Sequence, residues 1–382
     1  PIQMANATIK INKKKKTTQP TIKEIVHKMA QKNIPIPVTT EALDYDKNEA
    51  FLHVVALGLF DYLIKTKAKG YVVSLSGGVD SATVACLVAY MVKIGVHELG
   101  LNPFKKRLSH IQDIQLQSSE NSIIENLLTC LYQKTNHNTK TTLNAAKKLA
   151  NTLGATFLDI NIQPIVDTYL KTMGKATKKT LTWDTHDALL QNIQARTRAP
   201  SVWLLANLKG AILLSTANRS EASVGYCTMD GDTAGGLAPI AGVDKPFLIQ
   251  WLKWLEKKGS KEFGPLPILS LITTQHPTAE LRPPSKNQTD EDDLMPYRVL
   301  NAIEYQVVHL KKNQSNCAKA IAKEFQKDYS KKQLNAWVAR FVQLFQKNQW
   351  KRERLAPSFH LDTYNIDPKT GARFPILLGS GK

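Results

Sequence analysis

The feature that most constrains the fold is a glycine-rich hexapeptide between a strand-like and a helix-like segment. Residues 76–81 read SGGVDS, with the apolar run 71–75 before them and the helix-forming run 82–90 after them. This order brings main-chain N–H groups, two hydroxyls and the positive end of a helix dipole to one point. Two adjacent glycines allow positive φ angles and close approach of the backbone to an oligophosphate. The pattern predicts a phosphate-binding turn in an α/β fold.

Asp80 distinguishes this turn from a kinase-type nucleotide loop, which would carry Gly-Lys-Ser/Thr. Its carboxylate stands where a Mg²⁺ ion that neutralises pyrophosphate would need an oxygen ligand. The hexapeptide resembles the loop of the ATP pyrophosphatase enzymes, which activate a carboxylate by adenylation and release pyrophosphate. The alternative is a tight strand–helix turn whose hydroxyls have no function.

Length and composition fit a globular α/β protein. The chain has 382 residues, of which 42% are hydrophobic and 22% charged, enough for one large domain or two modest ones. Without an uninterrupted apolar stretch near the ~20 residues that span a bilayer, or a signal-peptide pattern, we expect no membrane association. The four cysteines have neither metal-ligand nor disulfide spacing, which indicates a reducing, cytoplasmic location.

The net charge of +19 raises nucleic-acid binding as an alternative. However, eight lysines lie within residues 1–40, and other basic residues lie at helical spacing within 309–354. No stacking aromatics on a basic strand and no zinc finger accompany them, so we expect solvated charges and no nucleic-acid partner. The polar segment 1–42 is predicted to be a lysine-rich tail or linker.

Alternating strand and helix patterns predict a doubly wound parallel sheet with helices on both faces. A packed helix at 49–65 comes first, and a Gln/Ser-rich segment at 100–126 is predicted to be an excursion on the surface. The predicted strands are 71–75, 127–132, 155–160 and 211–216. The predicted helices between them are 81–94, 141–153, 164–173 and 188–208. We expect one domain over 43–382, with a helical C-terminal part from about residue 290.

Two further segments carry charged side chains to the predicted site. In 191–198, QNIQARTR, Arg196 and Arg198 point in different directions from one helix, so at least one faces inward toward an anion or an ion-pair partner. In 216–221, TANRSE, Thr216 and Glu221 follow a strand end beside the phosphate loop. Glu221 would complete a Mg²⁺ site opposite Asp80, or it caps the following helix.

The glycine-rich segment 225–240 contains two aspartates and too many small residues to form a core, so it predicts a loop that closes over a ligand. Lys245 follows this loop and is available for phosphate. The acidic run 290–293 is interpreted as a solvated, helix-capping run rather than a metal site.

Five motifs resemble, in their order along the chain, those of NAD⁺ synthetases, and they are closest to the synthetase part of glutamine-dependent forms. The motifs are SGGVDS, QNIQARTR, TANRSE, GYCTMDGDTAGGLAPI and PTAELRP. The resemblance implies an adenine nucleotide alpha-hydrolase-like fold and a carbon–nitrogen ligase. The implied reaction adenylates the nicotinate carboxylate of deamido-NAD⁺ with ATP, releases pyrophosphate, and lets ammonia displace AMP.

The resemblance also implies residue roles. Asp80 and Glu221 would bind Mg²⁺, and Asp80, Lys245 and Asp232 would be catalytic, with Asp232 orienting or deprotonating ammonium. The implied ATP-binding residues are Ser76, Gly77, Gly78, Asp80, Ser81, Thr216, Lys245 and Thr278. The implied residues for deamido-NAD⁺ are Arg196 and, from a looser match, Lys351 and Arg352.

Other adenylating amidotransferases share SGGxDS, and a non-catalytic nucleotide- or nucleic-acid-binding relative would share the fold. The downstream motifs favour NAD⁺ synthetase over the other amidotransferases, and the competent side chains at every proposed ATP and Mg²⁺ position argue against a non-catalytic relative. None of the four cysteines has the Cys/Glu/Lys surroundings of a nitrilase-like amidase. We therefore expect either free ammonia or a separate glutamine amidase domain or subunit as the nitrogen source, and a homodimer or higher homo-oligomer.

Overall fold

Four parallel strands form the central sheet of the protein. The computed structural model describes residues 46–275, 281–282, 290–362 and 364–376, so the predicted tail 1–42 lies outside the described residues. The strands are β1 (Tyr71–Ser74), β2 (Leu128–Lys134), β3 (Thr156–Asn161) and β4 (Ile212–Leu214). Their order in the sheet is β3-β2-β1-β4, and every pairing is parallel.

Helices connect and follow these strands. The helices that precede β4 in the chain are α1 (Lys47–Thr66), α2 (Val79–Leu99), α3 (Leu101–Arg107), α4 (Gln112–Gln115), α5 (Glu120–Leu127), α6 (Lys140–Leu153), α7 (Gln163–Thr177) and α8 (Trp183–Lys209). The later helices are α9 (Arg219–Val224), α10 (Lys245–Lys257), α11 (Ser270–Thr273), α12 (Asp290–Asp293), α13 (Tyr297–Glu304), α14 (Gln314–Phe325), α15 (Lys331–Lys347) and α16 (Gln349–Arg352). A 3₁₀ turn at Pro267–Leu269 precedes α11, and a π-helical turn at Tyr305–His309 follows α13.

Both faces of the sheet are covered because side chains alternate along each strand. Val73 and Cys130 belong to one hydrophobic cluster, together with residues of α1, α2 and α6. Val72 and Leu131 point the other way and pack against α8, which contributes Val202 to the second cluster. The predicted doubly wound α/β fold is confirmed, and it is consistent with the adenine nucleotide alpha-hydrolase-like fold.

The order of the strands creates a crevice at one place. The chain moves outward from β1 to β2 and β3, and then returns to place β4 on the other side of β1. At such a reversal the loops after neighbouring strands diverge, which leaves room for a ligand at the carboxyl ends of the strands. The loop after β1 is SGGVDS, and the loop after β4 begins TANRSE.

Helix α2 is the one described helix that is long and apolar enough to cross a membrane, with a mean hydropathy of 1.6. However, 78% of its apolar window is buried inside the protein. A core helix of a globular domain has this character, because it packs against other elements on nearly all sides.

The segment 100–126 differs from its prediction as a surface excursion. It forms α3, α4 and α5, and Phe104, Leu108, Ile114 and Ile123 are fully buried in the main core. Its apolar residues recur every three or four positions and face the core. The glutamines and serines that suggested a surface segment lie between them, where the helices meet solvent.

The helices after residue 290 build a hydrophobic cluster of their own around Leu300, Phe325 and Phe341. Ala222 of α9 packs into the same cluster, so this helical part adjoins the loop after β4. The residues described from Asp46 onward nevertheless belong to one compact unit.

After α16 the chain returns to the sheet. Ser358 pairs with Ala238 in parallel, and the N–H of Ala238 donates to the Pro357 carbonyl at 2.8 Å. The ring of Phe359 lies so close to Gly58 of α1 that a Cβ atom there would be 3.0 Å from it. The segment after the last helix is therefore part of the α/β core.

Candidate active site

The phosphate loop is a tight turn that requires glycine. Gly77 has φ of +85°, and a Cβ atom on it would lie 2.4 Å from the Thr142 carbonyl oxygen. Gly78 is the N-cap of α2. Ser81 Oγ accepts from the Ser76 N–H at 3.2 Å and lies 3.1 Å from Ser76 Oγ, which holds both hydroxyls at the helix N-terminus. The sequence therefore builds a rigid, donor-rich turn at the crevice.

Asp80, Glu221 and Lys245 meet beside this turn. Lys245 Nζ lies 2.5 Å from Asp80 Oδ2 and 2.9 Å from Glu221 Oε1. Lys245 is 4% exposed and starts α10, where the Asp244 carboxylate caps the helix. One ammonium group thus bridges two carboxylates that belong to different loops of the sheet edge.

Asn218 sets the positions of both carboxylates. Its side-chain amide donates to Asp80 Oδ1 at 3.2 Å, and its Oδ1 accepts from the Glu221 N–H at 3.0 Å as the N-cap of α9. Asn218, and not Glu221, therefore caps α9, which leaves the Glu221 carboxylate free of that role and facing Lys245 and Asp80.

Asp290 adds a third carboxylate, which corrects the interpretation of 290–293 as a solvated run. Asp290 is 6% exposed, and the hydroxyls of Tyr226 and Tyr297 donate to its two oxygens at 3.4 Å each. Its neighbour Asp293 accepts from Tyr226 at 2.9 Å. Asp290 packs inward as the acceptor of these tyrosine hydroxyls, whereas Glu291 and Asp292 of the same run are exposed as expected.

Burial governs the charges of this cluster. It raises the pKa of Glu221 to about 8, although the charge of Lys245 opposes the shift. For Lys245, burial alone would lower the pKa, but Asp80 and Glu221 outweigh it and raise the pKa above the ordinary value. Burial also raises the pKa of Asp290. The ammonium stays charged and faces more carboxylates than it can neutralise.

Asp232 approaches the same cavity from the glycine-rich loop. The Thr228 N–H donates to Asp232 Oδ1 at 2.7 Å. Burial raises the pKa of Asp232 to about 6, and the hydrogen bond from Thr228 offsets part of this shift. A carboxylate with a pKa near neutrality can accept and release a proton under physiological conditions.

The second half of the glycine-rich loop is bound to the sheet. The Gly236 N–H donates to the Leu213 carbonyl at 2.8 Å, and the Ser215 N–H donates to the Leu237 carbonyl at 2.9 Å. A Cβ atom on Gly235 would lie 2.6 Å from the Ser215 nitrogen. The glycines permit this close contact with the end of β4, which fixes the loop just after Gly231, Asp232 and Ala234, the loop residues that line the cavity.

The structure brings most of the predicted site residues to one cavity at the carboxyl edge of β1 and β4. The predicted residues that line it are Ser76, Gly78, Asp80, Ser81, Thr216, Glu221, Asp232 and Lys245. Gly77 lies behind the turn against Thr142. Thr278 lies outside the described residues.

The two arginines of QNIQARTR are separated by the helix. Arg198 lines the cavity, together with Ala195, Ala199 and Val202 from the same face of α8. Arg196 is exposed on another face, where its Nε donates to the Met229 carbonyl at 3.1 Å. The structure therefore does not bring Arg196 into the cavity with the other predicted residues.

Lys351 and Arg352 also lie apart from the cavity. Lys351 Nζ donates to the carbonyls of Gly225 and Cys227 at 2.7 and 2.8 Å. Arg352 is 1% exposed and donates to the Ser223 carbonyl at 2.7 Å, and burial lowers its pKa to about 10. Both side chains hold α16 against α9 and the loop that follows it, an arrangement that does not support the predicted substrate contacts.

Sequence reasoning missed Asn218 and Asp290, and it gave the substrate role to Arg196 although it had named Arg198 as the other candidate. Asn218 was detectable because an Asn followed three residues later by Glu is an N-cap pattern. Arg198 was detectable because it continues the stripe of Ala195, Ala199 and Val202 at helical spacing. Asp290 had no such local signal, because its tyrosine partners lie on other segments.

A donor-rich glycine turn lies at the switch point of the parallel sheet, with carboxylates and a buried lysine beside it. This arrangement defines the class of protein to which the chain belongs. The protein is a nucleotide-binding α/β protein with the adenine nucleotide alpha-hydrolase-like architecture.

Comparison with known proteins narrows this class. The NAD synthase family model matches residues 51–355. The chain belongs to the NAD synthase family. It is 32% identical over 329 residues to the glutamine-dependent NAD(+) synthetase of Synechocystis sp., which covers 86% of this chain and 49% of that protein. The human glutamine-dependent NAD(+) synthetase is 27% identical over 345 residues, covering 84% and 48%.

Solved structures agree with this assignment. A crystal structure of a glutamine-dependent NAD(+) synthetase from Cytophaga hutchinsonii superimposes with a TM-score of 0.76 and 40% identity, over 87% of this chain and 55% of that one. An NMN synthetase from Francisella tularensis shares the fold, with a TM-score of 0.53 and 21% identity over 79% of this chain and 97% of that one. The chain spans about half the length of the curated relatives it matches.

Proposed function

We propose that this protein is a ligase that makes NAD⁺ from deamido-NAD⁺. ATP would adenylate the nicotinate carboxylate with release of pyrophosphate, and ammonia would then displace AMP. The observation that carries the proposal is the meeting of the phosphate turn, Asp80, Glu221, Lys245 and Asp232 in one cavity of an NAD synthase family member.

ATP is proposed to bind with its phosphates on the SGGVDS turn. The free N–H groups at the start of α2 and the hydroxyls of Ser76 and Ser81 are donors, and Thr216 and Lys245 complete the cradle. Thr278 keeps its proposed ATP contact. Donors fixed before binding stabilise negative charge without reorganisation during the reaction.

The residues fit Mg²⁺, since the site offers hard carboxylate oxygens from Asp80 and Glu221, with Asp290 beside them. The ammonium of Lys245 already occupies a cationic position between two of these carboxylates, which supports the fit. When bound, Mg²⁺ would neutralise charge on the leaving pyrophosphate. Asp80 and Glu221 are proposed to hold it, and Asn218 keeps both in place.

The chemistry assigns a task to each side chain. An oxygen of the nicotinate carboxylate attacks the α-phosphorus, and the bond from that phosphorus to the pyrophosphate oxygen breaks. Lys245 supports the charge on the phosphates. Ammonia then attacks the carbonyl carbon, AMP leaves with the bridging oxygen, and Asp232 removes a proton from ammonium. Because water would hydrolyse the acyl-adenylate, the bound substrates have to displace it from the cavity.

Deamido-NAD⁺ is a polyanion, and arginines are its proposed partners. Arg198 lines the cavity, and the exposed Arg196 of the same helix keeps its proposed role outside it. Replacing each by Met in turn, and comparing the KM for deamido-NAD⁺ with that for ATP, tells which arginine binds the dinucleotide.

The nitrogen source is proposed to be ammonia for this chain alone, with a glutamine amidase domain or subunit as a possible supplier. The relatives that it matches are glutamine-dependent enzymes about twice as long as the matched region. Ammonium is expected to support NAD⁺ formation by the purified chain, whereas glutamine is not. Glutamine-driven turnover by this chain alone would contradict the assignment. A cytoplasmic location is proposed with it, supported by four cysteines without disulfides.

A homo-oligomer is also proposed, supported by apolar side chains on adjoining helices. On α7 they follow one stripe, and on α8 they cluster near the C-terminal end. The exposed residues are Ile165, Tyr169, Met173, Trp203, Leu204 and Leu208. Several large apolar side chains exposed on one helix are typical of a protein interface. Sedimentation of the wild type and of Leu208→Glu tests whether a second copy covers these side chains.

The decisive experiment incubates the protein with ATP, Mg²⁺, deamido-NAD⁺ and ammonium. NAD⁺, AMP and pyrophosphate are expected in equal amounts. Omitting deamido-NAD⁺ should stop pyrophosphate release, because its carboxylate is the acceptor of the adenylyl group. Folded wild-type protein that makes none of the three products would overturn the proposal.

A further inference from the structure

A second cluster of ligand side chains lies away from the cavity, where the start of α1 meets the loop after α10. Glu49 and His53 are one helical turn apart on α1, and Glu262 comes from the loop. One ligand atom from each lies within 4.8 Å of the other two. None of the three residues lines the cavity of the proposed active site.

Glu49 is an unusual member of this cluster because it is buried. Its exposed fraction is 4%, and its Oε1 atom has no hydrogen-bond partner. His53 Nε2 lies 3.4 Å from this oxygen. A buried carboxylate oxygen without a hydrogen bond is costly, so the structure leaves an acceptor aimed at the space shared with His53 and Glu262.

The distances suit a small metal ion. Two ligands of a tetrahedral zinc site with bonds of about 2.0–2.2 Å are about 3.4 Å apart. The separation of Glu49 Oε1 and His53 Nε2 is 3.4 Å. Glu262 reaches the cluster from the exposed side, and the Ser260 hydroxyl donates to its Oε2 at 3.2 Å.

The second nitrogen of His53 faces another carboxylate. His53 Nδ1 lies 3.8 Å from Glu98 Oε1, at the C-terminal end of α2. Histidines that bind metals commonly direct their second N–H toward a carboxylate, which orients the ring and raises its basicity. The imidazole thus has Glu98 on one side and Glu49 on the other.

The charges of these side chains also favour a bound cation. Three carboxylates surround one imidazole, so the cluster is negative whether His53 is neutral or protonated. This is a local exception in a chain with a net charge of +19. A divalent cation would neutralise two of the carboxylates at once.

We propose that Glu49, His53 and Glu262 bind a divalent transition-metal ion, with Zn²⁺ as the best chemical match. One imidazole nitrogen with two carboxylate oxygens is a donor set that suits Zn²⁺, whereas Mg²⁺ prefers oxygen ligands alone. The exposed side of Glu262 leaves the fourth position to water. The ion would clamp the first turns of α1 to the loop at 259–264.

The test separates this ion from Mg²⁺ at the active site. Metal-stripped protein carrying Asp80→Asn and Glu221→Gln is titrated with Zn²⁺, and bound zinc is counted after dialysis. One tightly bound equivalent is expected in this background. Adding Glu262→Gln or His53→Ala should weaken that equivalent by about tenfold or more, because each removes one of three protein ligands.

Matched controls use residues close to the cluster but outside it. His97→Ala removes a histidine of α2 whose ring packs on Phe263, and Glu120→Gln removes a carboxylate paired with Lys93. Both should keep the zinc equivalent. Glu262 is exposed, so Glu262→Gln is expected to fold, and circular dichroism checks every variant.

Co²⁺ gives an independent readout. Bound at this site it should show visible absorption bands that disappear in His53→Ala and persist in His97→Ala. The proposal is overturned if the background protein retains no zinc, or if zinc binding is unchanged in both His53→Ala and Glu262→Gln.

Discussion

Two buried ionic clusters share helix α9 and differ in what surrounds their cation. Glu221 projects from α9 to the cavity, where Lys245 bridges it to Asp80. Arg219, two residues earlier on the same helix, enters a second cluster with Glu304 on the side of the helical C-terminal part. One helix of six residues thus supplies a charge to each.

The Arg219 cluster is closed. The Nε atom of Arg219 lies 2.8 Å from Glu304 Oε1, and Nη1 donates to Asp362 and to the Gly242 carbonyl at 2.9 Å each. A third carboxylate, Asp244, lies 3.3 Å from Nη2. The guanidinium is planar, and its two Nη atoms donate to acceptors that all belong to the protein interior or its edge, with no cavity between them in the part of the chain that the structure describes.

The Lys245 cluster is open. Its ammonium is a single point charge, while the carboxylates of Asp80, Glu221 and Asp290 line the wall of a cavity. Oxygens that one lysine cannot satisfy remain available to a metal ion or to donors on a ligand. Burial of charge alone therefore does not mark a site. The distinction lies in whether the acceptors face the protein or a cavity.

The largest expected effect is on the open cluster. Asp80→Asn and Glu221→Gln should each slow pyrophosphate release by about 10³-fold, because a neutral amide is a poor ligand for Mg²⁺. Asp61→Asn, which removes a surface carboxylate paired with Lys65, serves as the control. Near wild-type adenylation by either variant would remove that carboxylate from the proposed metal site.

A substitution in the closed cluster is expected to lower the stability of the folded protein. Arg219→Met is expected to cost about 3–5 kcal/mol in the free energy of unfolding, because Glu304 stays buried without its partner. The exposed pair of Arg298 and Asp328 provides the control, and Arg298→Met should cost less than about 1 kcal/mol. Urea titrations measure both. A stable but inactive Arg219→Met would instead place Arg219 in the catalytic machinery.

Asp290 tests how far the open cluster extends. Asp290→Asn removes a negative charge from the cavity and keeps an acceptor oxygen for one of the two tyrosine hydroxyls. The Mg²⁺ concentration for half-maximal rate should rise about tenfold, with a smaller change in the maximal rate. Asp293→Asn, three residues away and outside the cavity lining, should leave the Mg²⁺ dependence unchanged. Equal shifts in the two variants would indicate a structural effect of the whole run.

The smallest effect concerns Asp232 and pH. Because burial raises its pKa to about 6, the carboxylate becomes protonated as pH falls through that value and can no longer accept a proton. The NAD⁺ formed per AMP should fall below pH 6 in the wild type, as stranded acyl-adenylate hydrolyses. In Asp232→Asn the ratio of NAD⁺ to AMP should be low. The ratio in the wild type should rise above that of the variant only at pH values above 6.

Comparing the two proteins at each pH cancels the change in free ammonia, which affects both. If Asp232 only braces the glycine-rich loop, AMP and NAD⁺ should fall together in the variant, with their ratio at one. That result would contradict a role in proton transfer.

The sheet and the open cluster were predictable because local patterns and topology agree. Asp80 and Glu221 each follow a short apolar strand, and parallel strands place their carboxyl ends at one edge. Lys245 starts a helix after a glycine-rich loop that has to return to the same edge. These three positions can be predicted without knowledge of how the side chains pack.

The remaining features depend on contacts between distant segments. Asp290 is buried because Tyr226 and Tyr297 donate to it, and no periodicity in 290–293 reports those partners. Arg352 resembles a surface cation in sequence, yet it donates to the Ser223 carbonyl in the interior. The arginine of the closed cluster was missed for the same reason, since its carboxylates are spread over 118 positions of the chain, from 244 to 362.

The return of the chain to the sheet after α16 has a practical consequence for recombinant work. The family match ends at residue 355, but Ser358 pairs with Ala238 and Phe359 covers Gly58. A gene cut at the family limit would encode a protein with an unpaired backbone edge and an uncovered groove on α1. Such edges recruit other chains, so aggregation during expression is expected. Cloning boundaries for this family member should therefore follow the core, and extend past Ala372, which is still buried in the C-terminal hydrophobic cluster.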